Sequence, residues 1–146
     1  MDILSQKIEN FFKAYEQRFM DGLKGKVDVN GTIASFAKCF VESSPVGVNC
    51  GQNDAKFREV IPKGYEFYKS IGTQSMKILS KEITVLDEFH IMCKVYWQSK
   101  YLTKDKKEEV IDFDVFYFLQ YLNDELKIFA YITGDEQKVL KERRLV

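Results

Sequence analysis

The chain has 146 residues, with 22 basic and 22 acidic side chains, 12 Phe, 8 Tyr and 1 Trp. Balanced charge gives no net field to draw it to nucleic acid or an anionic membrane, and no apolar run approaches the ~20 residues that span a bilayer. The length suits a single domain, 1–146, able to bury a proper core, and the aromatic load suits a large core or a greasy cavity.

In chain order, the first pattern is an amphipathic helix from about Asp2 to Leu23. Ile8, Phe11, Phe12, Tyr15, Phe19 and Leu23 recur at three-to-four spacing, while Lys7, Glu9, Lys13 and Glu16 fall off the stripe. Asp2 or Ser5 caps its start, and Gly22 and Gly25 bracket its end. A second helix is predicted from about Gly31 to Val41, with Asn30 as N-cap and Ile33, Phe36, Ala37 and Phe40 along one side. It ends at Ser43-Ser44-Pro45, because the residue before proline disfavours helical geometry. Val46–Cys50 reads as a short edge strand. Asn53 or Asp54 then caps a third helix that runs to about Ile71 and stops at Gly72, with a kink or break expected at Pro62.

Consecutive strands follow over roughly Gln74–Leu86, His90–Leu102, Val110–Leu122 and Leu126–Thr133, rich in the residues that fit a half-buried pleated surface. Ile111, Phe113, Val115, Tyr117 and Leu119 share one face, as do Ile91, Cys93, Val95 and Trp97 on the preceding strand. A tight turn at Asn123-Asp124 pairs Tyr121 with Leu126 and Leu119 with Ile128, which puts Ile128, Ala130 and Ile132 on that same apolar face. The register of the first strand stays open. A two-residue turn at Asp87-Glu88 points Glu82 inward near Trp97, whereas a longer loop or a bulge buries Leu79, Ile83 and Val85 instead. Thr133-Gly-Asp-Glu136 matches a capping box and opens a last helix from about Asp135 to Arg143. Helices first and antiparallel strands after them make an α+β chain with helices on one face of the sheet.

Chemistry-bearing residues are few. His90 is the only histidine, at a strand start on the more polar face, and reads as a surface or turn residue. Asp112 and Asp114 share a face with Lys94, Gln98 and Lys100 and read as outer-face cross-strand partners. Cys39, Cys50 and Cys93 are odd in number, with no C-x-x-C spacing. They read as reduced, mostly buried thiols of a cytoplasmic protein, not as a disulfide framework or zinc site. The first residues also lack the apolar stretch of a signal peptide. No metal and no cofactor are expected.

This element order, ending in a strand and a Thr-Gly-Asp-Glu turn, resembles the nuclear transport factor 2-like superfamily, which includes SnoaL-like cyclases and ketosteroid isomerases. The resemblance implies a cone in which a strongly curved sheet wraps the first and third helices around a pocket. It also implies a homodimer through the outer sheet face, here Tyr96, Phe116, Phe118 and Phe129. Val41-Glu-Ser-Ser-Pro-Val-Gly47 is similar to the isomerase segment whose general base is an Asp just before Pro-Val-Gly, but the matching residue is Ser44. A neutral hydroxyl cannot abstract a proton α to a carbonyl as a carboxylate can. Tyr15 matches that family's oxyanion-binding tyrosine, and Phe118 falls where it has a protonated Asp. Steroid isomerase chemistry is therefore not expected.

Tyr15, Phe19, Phe57, Tyr65, Trp97, Phe113 and Tyr117, with Tyr131, are the candidates to line a cavity, and Glu82, Tyr15 and Glu42 are the candidate acid–base groups. The leading expectation is a binding domain for a small apolar or aromatic molecule. The alternatives are a cofactor-independent isomerase, cyclase or hydrolase-type enzyme of the SnoaL kind, and a protein-interaction module.

Overall fold

A computed structural model describes residues 2–146, so Met1 of the predicted domain lies outside the described residues. Helix α1 (Ile3–Leu23) is capped by Asp2, whose side chain accepts the Ser5 amide at 2.7 Å. Its stripe buries Ile8 and Phe12 almost completely. A Cβ on Gly22 would overlap the Tyr65 ring, so this glycine sets how closely α1 approaches α3 (Ala55–Ser70). The third helix is capped by Asp54 and runs through Pro62 without a break. The carbonyl that proline deprives of a donor belongs to Arg58, an exposed residue.

The predicted second helix is corrected. Helix α2 covers only Val29–Ala34, capped by Asp28 and not Asn30, and the chain then enters strand β1 (Phe36–Ser44). Phe36 and Phe40 are spaced by four, which satisfies a helical stripe and a strand's period of two alike. Tertiary pairing decides between them. Asn53 donates its amide to the carbonyls of Ile33, Phe36 and Ala37 at the crossing. β1 pairs antiparallel with β2 (Gly47–Gln52), which contains most of the predicted edge strand, and parallel with β6 (Glu125–Ile132).

Strands β3 (Thr73–Val85), β4 (His90–Leu102) and β5 (Glu108–Leu122) complete one six-stranded sheet in the order β2-β1-β6-β5-β4-β3. Gly72 sits at φ +84, beyond α3, with its α-carbon tight against the Leu102 carbonyl, so only glycine fits that corner. The Asn123-Asp124 turn has both residues at positive φ and pairs Tyr121 with Leu126 and Leu119 with Ile128, as the residue pattern predicts. Beyond that point a bulge at Phe129 shifts the register. Phe118 then faces Ala130, Phe116 faces Ile132, and Tyr131 takes the inner place opposite Tyr117. The expectation that Ala130 and Ile132 lie inside is therefore corrected, and only Ile128 is buried there.

The β3 register is settled the same way. The loop after Val85 is longer than two residues and pairs Val85 with Ile91, and a bulge at Leu79 lets Ile78 face Trp97. Glu82 consequently pairs with Lys94 on the outer face and is exposed, not inside near Trp97. Ile83 and Val85 turn to the inner side but stay 38% and 59% exposed at the sheet's edge, and Leu79 bulges out at 55%. The last helix, α4 (Glu136–Glu142), starts from Asp135, which caps through the Lys138 amide, so Thr133 is not its N-cap.

Ile8, Phe12, Ile91, Cys93, Val95, Leu119 and Ile128 fill one end of the sheet's inner face; Cys93 is the one buried cysteine, and the mostly buried reading of the three is corrected, because Cys39 and Cys50 lie exposed on the β1–β2 hairpin. Leu140 of α4 packs with Tyr101, Ile111, Phe67 and Ile71 in a second cluster at the other end. The candidate site lies between the two.

Candidate functional site

Seven elements deliver side chains to this space. Helix α1 brings Tyr15 and Phe19, and α3 brings Tyr65 and Tyr68. The sheet adds Trp97, Phe113, Tyr117, Tyr131 and Glu42, and α4 adds Glu136. Tyr15 packs 5.7 Å from Tyr117 and 6.2 Å from Trp97, ring centre to ring centre. Phe19 lies 5.4 Å from Tyr65, 5.5 Å from Tyr68 and 6.5 Å from Trp97. Phe113 stacks on Trp97 at 6.5 Å and is 37% exposed, so the cluster opens to solvent on that side. Of the predicted lining residues only Phe57 stands apart, packed on Phe36 and Phe40.

The polar atoms form two groups. Inside, the Trp97 indole N–H donates to the Tyr117 hydroxyl at 3.2 Å, and burial raises the pKa of both Tyr117 and Tyr15. On the rim, the Tyr68 hydroxyl reaches both carboxylate oxygens of Glu136, at 2.9 and 3.0 Å. Glu42 and Tyr131 are neighbours across the parallel β1–β6 pair. Burial lifts the Tyr68 and Tyr131 phenols, and the adjoining carboxylates, Glu136 and Glu42 respectively, lift them further. Tyr65 is pushed up to about 12, mainly by burial. The Glu136 carboxyl is itself raised by burial and by Glu42, against the Tyr68 hydrogen bond. Residue Glu136 is exposed overall, with its carboxyl turned in onto Tyr68. At neutral pH the cluster is thus a set of protonated phenol donors with two carboxyl groups at its edge.

Arg18 closes the α1–α2 side. It donates to Ser35 Oγ at 2.5 Å, and its guanidinium lies 5.7 Å over the Tyr15 ring. Tyr68, Glu136 and Arg18 escape a reading of the sequence. Tyr68 shows there only as part of the α3 stripe, Glu136 only as a capping residue, and no motif marks Arg18.

The other candidates lie elsewhere. Glu82 is on the outer face, as described above. Ser44, at the lost base position, accepts the Val46 amide within its own hairpin. Phe118 faces outward, opposite Met92 and Ala130. His90 bonds Asp87 at 2.8 Å within the β3–β4 loop and packs on Phe129, the turn role its position predicts. Asp112 accepts from Gln98 at 2.9 Å on the outer face. Among the described residues, no three His, Cys, Asp or Glu side chains come together as metal ligands. Two surface depressions, about 300 and 290 Å³, lie beside Tyr101–Leu102 and at the Leu79 bulge, and Trp97 and Phe113 line the second. Neither is lined by Tyr15, Tyr65, Tyr68, Tyr117, Tyr131, Glu42 or Glu136.

A family model described as NTF2-like protein (DUF6841) matches residues 5–136. The chain belongs to this family. Its nuclear transport factor 2-like fold recurs in an NTF-2 like protein of unknown function from Shewanella oneidensis MR-1, at 17% identity and TM-score 0.69 over 91% of this chain and 100% of that one. A ketosteroid isomerase-like protein from Erwinia carotovora atroseptica SCRI1043 matches at 14% identity and TM-score 0.64, over 92% and 97%. A cystatin-like-fold protein of unknown function from Nostoc punctiforme PCC 73102 matches at 15% and 0.59, over 93% and 95%. No curated protein matches the chain by sequence. Among the described residues, no helix is long and apolar enough to cross a membrane.

Proposed function

We propose that this NTF2-like chain binds a small, flat, mostly apolar molecule between Trp97, Phe113, Phe19 and the tyrosines. The observation that carries this reading is the convergence on Tyr15. Its ring packs on Tyr117 and Trp97, and Tyr65, Tyr68 and Tyr131 join the same cluster through Phe19 and Tyr117, so phenols from α1, α3, β5 and β6 meet there. Buried phenols held protonated are hydrogen-bond donors, and aromatic faces around a few convergent polar groups are the usual make-up of a ligand site. The test uses Trp97, the only tryptophan, as a fluorescent reporter. A neutral flat probe, N-phenyl-1-naphthylamine, should quench it saturably, and Phe113→Asp should abolish the effect. Unquenched Trp97 up to the probe's solubility limit would sink the reading.

A second reading is favoured by the Tyr68–Glu136 pair. A carboxyl with a raised pKa and a phenol in hydrogen-bond contact have the make-up of an acid–base pair, so a cofactor-free proton transfer on the bound molecule is chemically available. The ketosteroid isomerase-like neighbour supports this direction through the fold alone. The free state of Cys39, Cys50 and Cys93 suits a reducing compartment, and we place the protein in the cytoplasm.

A further inference from the structure

We propose that helix α4 is a hinged gate on the tyrosine cluster. It swings away from the sheet at residues 134–135 to admit the bound molecule and closes again on Tyr68 through Glu136. This rests on the small-molecule reading above and adds a route of entry to it.

Three observations carry it. First, the site is shut. Its rings pack on one another, and the two surface depressions stop short of Tyr15, Tyr65, Tyr68 and Tyr117, so a ligand enters only if an element moves. Second, α4 is lightly held. The Thr133 amide donates to the Ser43 carbonyl at 2.9 Å, and beyond it, among the described residues, every backbone hydrogen bond of 134–146 stays inside that segment, as from Val139 to Asp135 and from Leu145 to Leu140. Its own side chains dock it. Leu140, 1% exposed, sits among Tyr101, Ile111, Phe67 and Ile71, Glu136 accepts from Tyr68, and Arg143 reaches Glu109 at 3.0 Å and the Val110 carbonyl at 3.3 Å. A helix of seven residues does not hold itself in water, and a segment with so little buried opens without the rest of the fold. Third, the hinge lies beside the opening. β6 ends at Ile132, opposite Phe116, so the Phe113 stretch of β5 has no strand on that side, and Phe113 is 37% exposed where it stacks on Trp97. Release of α4 frees Tyr68, whose ring stands on Phe19, and Phe19 in turn packs on Trp97.

The test follows hydrogen exchange of the full chain by mass spectrometry and the binding of N-phenyl-1-naphthylamine to it by stopped-flow Trp97 fluorescence. In the parent chain the 134–146 segment should exchange at least ~tenfold faster than β4 and β5. Arg143→Gln leaves the body intact and should raise both that exchange and the probe's association rate roughly two- to fivefold, the worth of a partly exposed ion pair. Dissociation should rise in step, so that affinity holds, because a gate speeds both directions whereas a lost ligand contact speeds departure alone. Leu140→Ala should act the same way by at least ~tenfold. Circular dichroism shows whether it folds, and Arg143→Gln decides alone if it does not. A segment that exchanges no faster than β4 and β5, or an association rate that Arg143→Gln leaves unchanged, overturns the gate and leaves the small-molecule reading standing. A probe that never quenches Trp97 sinks that reading and the gate with it.

Discussion

The Glu16 carboxylate on α1 accepts the backbone N–H of Ile78 at 2.5 Å, just before the bulge at Leu79. β3 is an edge strand, so this amide has no neighbouring strand to take it. On the loop side of the bulge the Val85–Ile91 pairing turns Glu82 outward and Lys81 inward, to its 3.2 Å ion pair with Glu9. Glu16→Ala leaves the partly buried amide without its partner and should cost about 1–3 kcal/mol, a fall of several degrees in melting temperature. Glu16→Gln keeps an acceptor oxygen and should cost clearly less. Equal melting temperatures for the two variants in a thermal scan would show that Glu16 does not anchor this edge.

Tyr117→Phe tests the inner polar pair. Trp97 is 2% exposed, and its indole N–H has the Tyr117 hydroxyl as acceptor. Removing that hydroxyl strands a buried donor, so the loss should be about 1–3 kcal/mol, with a shift in Trp97 emission. Tyr131→Phe strands no buried indole and should cost less. Chemical denaturation followed by fluorescence measures both.

Stability should fall in alkali, and the sign follows from two raised pKa values. Burial pushes the Cys93 thiol from 9.0 to about 12 and Tyr65 from 10.0 to about 12. Between the ordinary value and about 12 the unfolded chain sheds these protons first, so the folded state binds more protons and unfolding becomes easier as pH rises. The stabilisation is complete below pH 9 and drains away between about 9 and 12, with a slope of at most about 1.4 kcal/mol per pH unit for each group. Cys93→Ala should flatten the lower part of that decline in a urea series run at stepped pH. An unchanged slope would refute the assignment.

What the sequence made legible, and what it hid, divides at the bulges. Period-two alternation placed Trp97, Phe113 and Tyr117 on one inner face correctly, because β4 and β5 pair without interruption from His90 to Leu102. The same logic failed after Leu119, where one extra residue at Phe129 exchanged Ile132 for Tyr131. It left β3 undecided because an edge strand has a partner on one side only. Phe36 and Phe40 fit both periods, and only pairing with β6 makes β1 a strand. The rim escaped for a different reason. Tyr68 and Glu136 are 68 residues apart, and no local pattern announces that a C-terminal helix will fold back to set a carboxyl against a helix-borne phenol.

Glu136→Gln separates function from stability at this rim. The raised carboxyl pKa means that the unfolded chain gives up this proton at lower pH than the folded one, so ionisation of Glu136 costs the fold stability as pH rises through the ordinary carboxyl range. A neutral amide escapes that cost and keeps an oxygen to accept from Tyr68. The variant should therefore be at least as stable as the parent at neutral pH, while losing binding or turnover that needs the carboxylate. A large loss of stability at neutral pH, matched by none at pH 4, would show the opposite sign and place Glu136 in the fold's support.

The outer sheet face makes the last prediction. Phe118 and Phe129 lie 6.2 Å apart there, and Lys94 bridges the Tyr96 and Phe116 rings at 5.0 and 5.1 Å. Ile132 at 41% and Val48 at 66% exposure extend the apolar surface across β6 and β2. A patch of this kind on a small protein favours a partner, and a second copy turned about a twofold axis would set the same rings against one another. We therefore propose a homodimer through this face, with a solution mass of twice the 17.1 kDa chain. Phe118 points away from the core, so Phe118→Glu should yield a folded monomer with little change in secondary structure. Light scattering coupled to gel filtration decides: a parent chain that elutes as a monomer at micromolar concentration refutes the dimer, and a Phe118→Glu variant that stays dimeric places the interface elsewhere.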